Sequence, residues 1–219
     1  METHTLLNNT ITTEALRYAY TNGYFPMWND YTRIMEWHNP DPRAIFLLDR
    51  IKVSKSLKQA IRRNNFTYTI NTAFSDVIKA CADRDDCWIN EEIIECYTEF
   101  HKQGNAHSFE VWNDNTLVGG LYGISAGAAF CGESMFSRVS DASKCAFIYS
   151  CIFLSLCGFH FVDSQYINHH TELLGAFEIP KQEYLERLNS ALSVGYCFDT
   201  SKSSFIKHPI DFIERISQI

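Results

Sequence analysis

Between His107 and Asp163 the sequence changes periodicity in an order that points to one fold class. His107 to Trp112 and Thr116 to Ile124 read as strands on either side of a turn at Asn113-Asp114-Asn115, which predicts a hairpin. Ala128 to Gly132 reads as a third strand. Ser140 to about Cys157 is apolar all round and reads as a long helix, and Phe161 to Asp163 as a further strand. An antiparallel meander, then a helix, then another strand specifies an α+β domain with a mostly antiparallel sheet.

The flanking sequence fits that class. Thr13 to Asn22 predicts a short helix, with Thr12 or Thr13 as N-cap and Gly23 as its stop. Tyr24 to Trp28 and Trp37 to Pro42 read as two irregular aromatic turns. The closely spaced Pro40 and Pro42 mark a lobe boundary, dividing a small N-terminal lobe (1–42) from a larger domain (43–219). Ala44 to Leu48 and Phe66 to Ile70 read as strands. Helices are expected from a Ser54 cap to about Asn64, over Phe74 to Ala82, from an Asn90 cap to His101, and over Pro180 to Ser193. No internal repeat or low-complexity stretch is evident.

Charge sets limits on partners. The 219 residues carry a formal net charge of −7, which argues against bulk affinity for nucleic acid. Arg43 to Arg63 is a local exception, with Arg43, Arg50, Lys52, Lys55, Lys58, Arg62 and Arg63 against the single acid Asp49. On the helix after Ser54, Lys55, Lys58, Gln59 and Arg62 share one face, while Leu57, Ala60 and Ile61 face away. An ordinary solvated face and a binding face both fit that pattern.

The eight cysteines contain no Cys-x-x-Cys pair. Cys145, Cys151 and Cys157 recur every six residues, so on a helix they point to three sides and cannot converge on a metal. Reduced, mostly buried thiols are expected, which fits the cytoplasm. The most apolar run, Cys145 to Cys157, is too short to span a bilayer, and no basic flank followed by an apolar run suggests a signal peptide.

Two polar breaks stand out against this apolar background. Gly132-Glu133-Ser134-Met135-Phe136-Ser137 interrupts one apolar stretch, and Asp163-Ser164-Gln165 ends another. Polar groups where an element leaves the core mark either a site or a pair of satisfied turns.

Several further segments, taken in order, resemble one family. They are Phe25-Pro26, Trp37 with Pro40-Asp41-Pro42-Arg43, Trp88-Ile89, His107 to Trp112 and Val118 to Gly123. Gly132 to Ser137, Ala142-Ser143-Lys144, Asp163-Ser164-Gln165, Asn168, His170 and Leu174-Gly175-Ala176 complete the set. From about residue 16 to 190 the chain resembles the leucyl/phenylalanyl-tRNA–protein transferases.

The resemblance implies a small N-terminal lobe and an acetyltransferase-like (GNAT) C-terminal domain. It implies transfer of Leu, Phe or sometimes Met from aminoacyl-tRNA to the α-amine of proteins beginning with Arg or Lys, creating an N-degron. It also implies no metal or coenzyme, and a cytoplasmic monomer. Asp163 and Gln165 would be the catalytic pair, Asp163 orienting and polarising, Gln165 meeting the amine. Gln is a poor base by itself, and the group that takes the proton is left open. Glu133 would meet the cationic acceptor through a charge-assisted contact worth about 1.5–3 kcal/mol, or else partner a backbone turn. Ser134 and Ser137 belong to the same motif. Leu121, Phe130, Met135, Phe136 and Phe147 would line the aminoacyl pocket, or simply fill core. Trp88 would stack on the terminal adenosine, a contact of about 1–3 kcal/mol. Lys55, Arg62 and Arg63, with Lys58 and Arg43 by proximity, would bind tRNA phosphates and read shape.

The chain departs from the family pattern at Met27, Gln59 and Asp141, and at Ser150 and Leu154, where some members carry pocket phenylalanines. Three other readings fit the sequence less well. An acyl-CoA-dependent N-acyltransferase needs a Gln/Arg-x-x-Gly phosphate loop, and no glycine here has Gln or Arg three residues before it. A catalytically silent tRNA- or peptide-binding module is disfavoured by the presence of both Asp163 and Gln165. A serine hydrolase lacks the Gly-x-Ser-x-Gly elbow.

Overall fold

The computed structural model describes residues 11–213, apart from 30, 64–65, 85–86, 195–197, 207–208 and 211–212. Expectations for Asn64 and Cys197 lie outside the described residues.

The N-terminal segment folds as α1 (Thr13–Thr21), β1 (Phe25–Asn29) and β2 (Ile34–His38). Thr12 caps α1 by accepting a hydrogen bond from the Ala15 N–H. The two expected aromatic turns are instead the strands of a hairpin. Pro26 sits opposite Trp37 and Trp28 opposite Met35, and these cross-strand pairs replace the missing alternation. Pro26 is tolerated because the sheet has only two strands, both of them edges. The Asn29 side chain accepts from the Tyr31 and Thr32 N–H groups and so closes the turn.

The remaining chain runs β3 (Arg43–Leu47), α2 (Lys55–Arg63), β4 (Thr67–Ile70), α3 (Phe74–Ala82) and α4 (Glu91–Lys102). It continues with β5 (Ala106–Asn113), β6 (Thr116–Ala126), β7 (Ala129–Ser137), α5 (Ala142–Cys157) and β8 (Phe161–Gln165). Then come α6 (His169–Leu174), β9 (Phe177–Ile179), α7 (Lys181–Ser193) and a 3₁₀ turn (Thr200–Phe205). Most boundaries agree with expectation within a residue or two. The helix α6 was not expected, although its cap was legible: Asn168 and Thr171 bond each other's backbone N–H groups. The three-residue β9 is too short to carry a periodic pattern in the sequence.

Seven strands form one sheet in the order β4-β5-β6-β7-β8-β3-β9, antiparallel except for the parallel β7–β8 pair. The architecture is α+β with a mixed sheet. One face packs on α1, α3, α4 and α7 through Leu16, Val77, Ile93, Tyr97 and Leu188. The other packs on α5 through Phe109, Phe130, Phe147 and Phe153. Helix α5 is buried on nearly every side, which accounts for its apolar circumference; Cys145, Cys151 and Cys157 are all buried within it. Each large apolar side chain so buried contributes about 1.5–3 kcal/mol. Gly158 ends the helix in the left-handed region at φ 83°.

Candidate active site

The site arises where the parallel pair comes apart. β7 and β8 pair only from Ala129–Phe161 to Cys131–Asp163, and beyond that point Gly132–Ser137 and Ser164–Gln165 diverge. Each strand carries an irregularity there. On β7, Tyr122 faces Ser134 and Gly123 faces Gly132, so Glu133 is an extra residue with no partner on β6. On β8, Ala44 faces Gln165 and Ile45 faces Asp163, which leaves Ser164 extra. Bulges of this kind re-aim side chains, and here they turn both polar breaks toward one space.

That space is a cavity of about 280 Å³. Phe46, Leu121, Phe130, Met135, Phe147 and Val162 supply its apolar wall. Arg84, Tyr122, Glu133, Ser134, Gln165, Asn168 and His170 supply its polar wall.

Asp163 lies at the back with its carboxylate fully committed. Arg43 Nε donates to Oδ1 at 2.8 Å and Nη2 to Oδ2 at 2.7 Å, and the Tyr184 hydroxyl donates to Oδ2 at 2.8 Å. The Gln165 N–H also donates to Oδ1, at 3.0 Å. Arg43 reaches the Gly23 carbonyl oxygen as well, and lies over the rings of Phe25 and Tyr184. Burial alone would lower the Arg43 pKa, but the Asp163 charge holds it above its ordinary value. Both side chains of the pair are 0% exposed as residues.

This corrects one expectation: Arg43 cannot contact tRNA phosphates. Its sequence neighbours are basic, but strand β3 turns this position inward to meet Asp163. Asp163 and Gln165, expected as the catalytic pair, are joined through the backbone. Asp163 anchors the backbone of Gln165, which sits at φ 58°. A non-glycine residue held there costs about 1–3 kcal/mol, and the bond from its N–H to Asp163 fixes it in place.

Gln165 Nε2 points to Glu133 Oε1 at 3.4 Å, and the Tyr97 hydroxyl donates to Oε2, also at 3.4 Å. The Tyr97 and Tyr20 hydroxyls are 2.7 Å apart. Burial pushes Glu133 up to about 8, against hydrogen bonds from Tyr20 and Tyr97 and the Arg43 charge, which pull it down. Arg84 Nη2 donates to Ser134 Oγ at 3.3 Å. The Tyr122 hydroxyl is buried and has no partner among the described residues.

Other expected site residues fall on both sides of the line. Leu121, Phe130, Ser134, Met135 and Phe147 line the cavity. Phe136 does not: it packs into the opposite core, against α3 and Gly120, because alternation resumes after the bulge. Ser137 is taken up locally, donating to the Val139 carbonyl and accepting from Ser143 N–H at the start of α5. The strand continues through the whole motif, where the sequence had suggested that it stopped at Gly132. Trp88 is half-buried against the core, outside the cavity lining, a short way along the chain from Arg84. Ser150 lines the cavity, and its hydroxyl donates back to the Phe147 carbonyl at 2.8 Å. Leu154 is buried elsewhere in the core.

On α2, Lys55, Arg62 and Arg63 are exposed, Lys58 is half-buried, and Leu57 and Ile61 face the core. Tyr20, Tyr97, Tyr122 and Arg84 went unrecognised in the sequence. Nothing local separates them from other tyrosines and surface arginines; only the fold brings them to Glu133 and Ser134. No group of three or more potential metal ligands occurs among the described residues.

Comparison with known proteins identifies the family. The model of the leucyl/phenylalanyl-tRNA protein transferase family matches residues 45–189, and that of its N-terminal domain matches residues 9–41. The leucyl/phenylalanyl-tRNA–protein transferase of Gloeobacter violaceus is 48% identical over 185 residues, covering 84% of this chain and 96% of that protein. Those of Salinibacter ruber (45% identical; 84% of this chain, 81% of that one) and Shewanella pealeana (46%; 80% and 75%) are similar to the same extent. The chain belongs to the leucyl/phenylalanyl-tRNA–protein transferase family.

Proposed function

We propose that this protein transfers Leu or Phe, and sometimes Met, from aminoacyl-tRNA to the N-terminal α-amine of proteins beginning with Arg or Lys, so marking them for degradation. The observation that carries this reading is the cavity at the β7–β8 split. It sets Glu133 and Gln165 beside an apolar pocket, which suits a cationic amine meeting an apolar aminoacyl ester. The ester is already activated, so the protein must chiefly position two reactants, an effect worth about 7–11 kcal/mol. Phe46, Phe130 and Phe147 would hold the transferred side chain, and Gln165 the incoming amine. Trp88 is assigned to the terminal adenosine. The region from 43 to 219 is read as acetyltransferase-like, in keeping with its splayed parallel pair, and 1–42 as the small lobe. The protein is taken to act as a cytoplasmic monomer.

Purified protein is expected to move radiolabelled Leu from Leu-tRNA to a peptide beginning with Arg, without added CoA or metal. No transfer above a no-enzyme control, with tRNA binding intact, would leave a binding module as the better reading.

The exposed α2 cations are assigned to the tRNA backbone. Reversing Lys55, Arg62 and Arg63 to Glu should weaken tRNA binding and flatten its salt dependence, each lost phosphate contact removing about 0.7–0.9 from the log–log slope. An unchanged affinity and slope would make this face merely solvated.

A further inference from the structure

Peptide-bond formation needs an acceptor amine without its extra proton, and most α-amines are protonated at neutral pH, with a pKa of about 7.7–8.0. His170 on α6 also lines the cavity, but at the split itself three side chains are candidates to receive that proton. Gln165 carries a carboxamide, which is not basic. Asp163 has both oxygens occupied by Arg43, Tyr184 and the Gln165 N–H, and its residue is wholly buried. Glu133 is half-buried at the cavity wall, on a bulge that aims it inward. Its contacts to Gln165 and Tyr97, both at 3.4 Å, are long enough to yield to a better donor.

We infer that Glu133 is the proton acceptor of the transfer reaction: it takes a proton from the acceptor's α-ammonium, while Gln165 orients the resulting amine. The inference rests on the transferase reading above. The amine nitrogen then bonds to the ester carbonyl carbon, and the bond from that carbon to the terminal ribose oxygen breaks. The nitrogen's second surplus proton leaves with the ribose oxygen as a hydroxyl, its last hydrogen stays on the amide, and Glu133 returns its proton to water. Atoms and charge balance without metal or coenzyme.

The surroundings tune the carboxylate for this role. The charged and titratable groups around this corner include Tyr20 on α1, Arg84 between α3 and α4, Tyr97 on α4, Tyr122 on β6, Cys131 on β7, Asp163 on β8, Arg43 on β3 and His170 on α6. Burial lifts Glu133 to about 8, close to the amine it must deprotonate, so the proton moves between groups of matched affinity. An arriving ammonium favours the ionised carboxylate and lowers that value, readying it as a base. In the same wall the buried Tyr122 hydroxyl has no partner among the described residues, as expected where a ligand supplies it.

The test is single-turnover transfer from Phe-tRNA to an Arg-initiated peptide at saturating peptide, from pH 6 to 9.5. Glu133→Gln should be about tenfold slower than wild type at pH 7 and within about twofold at pH 9.5, where the amine arrives neutral. Its log rate should climb by about one per pH unit below pH 7.5, more steeply than wild type. Glu133→Asp, which keeps a carboxylate, should recover part of the neutral-pH rate, and tRNA affinity reports folding of both variants. A deficit that stays constant with pH, or a change confined to the peptide KM, would overturn the assignment. Wild-type protein without transfer at any pH would instead remove the transferase reading itself.

Discussion

Replacing Arg43 with Ala should cost about 3–5 kcal/mol of folding stability, because it strands the Asp163 carboxylate in the interior. Arg43 supplies two of that carboxylate's bonds, and one more to the Gly23 carbonyl. Urea denaturation followed by far-UV circular dichroism measures the loss. In a chain of this size it corresponds to a fall in Tm of roughly 6–20 °C. The tethering of β3 to β8 predicts a second effect. Without the guanidinium, Asp163 no longer holds the Gln165 N–H firmly, and transfer should slow even at temperatures where the variant is folded. The double variant Arg43→Met/Asp163→Leu separates the two roles. Replacing a buried ion pair by apolar groups is often neutral for stability. It should therefore regain much of the lost stability while remaining slow in transfer. A single Arg43→Ala variant that loses less than about 1 kcal/mol would mean that solvent reaches Asp163 and that the pair is not an anchor.

Gly123→Ala should be damaging as well, for a different reason. A Cβ there would run into the Cys131 carbonyl oxygen and come within 2.7 Å of the Phe130 ring. The obstruction lies just before the bulge that aims Glu133, and the displaced ring is part of the cavity's apolar wall. Overpacking of this kind costs about 1–3 kcal/mol. A shift of the order of an ångström in a positioned site can cost about 10²-fold in rate. Gly132→Ala is the control. Its Cβ would meet only the Asp163 carbonyl oxygen at 3.7 Å and Val162 Cγ1 at 3.8 Å, which is ordinary contact. Denaturation midpoints and single-turnover rates of the two variants should therefore diverge; equal behaviour would show that β7 yields without disturbing the site.

How much of this was legible beforehand differs by element. The β5–β6 hairpin, α5 and β8 declared themselves through periodicity and turn residues. Helices α1 and α4 declared themselves through caps, Thr12 and Asn90, that bond where expected. The β1–β2 hairpin did not, because its strands are held by aromatic cross-strand pairing instead of alternation. β9 was too short to carry a pattern. Within the site, Phe136 and Ser137 share a motif with Glu133 and Met135, yet a single bulge sends their side chains to different places.

The sequence alone determined the α+β order, the burial of α5, the two polar breaks and, through the ordered set of segments, the family. Those features depend on neighbours along the chain, where spacing and residue type suffice. Tertiary structure decided that Arg43 faces inward, that Asp163 anchors Gln165, and that three tyrosines from α1, α4 and β6 gather near Glu133. Those outcomes depend on which elements meet. Arg43 and Asp163 are 120 positions apart, and Tyr20 and Tyr97 are 77 apart. Whether a charge lies in water or in the interior is a property of that meeting, and it fixes whether the side chain binds a substrate, holds a strand or accepts a proton.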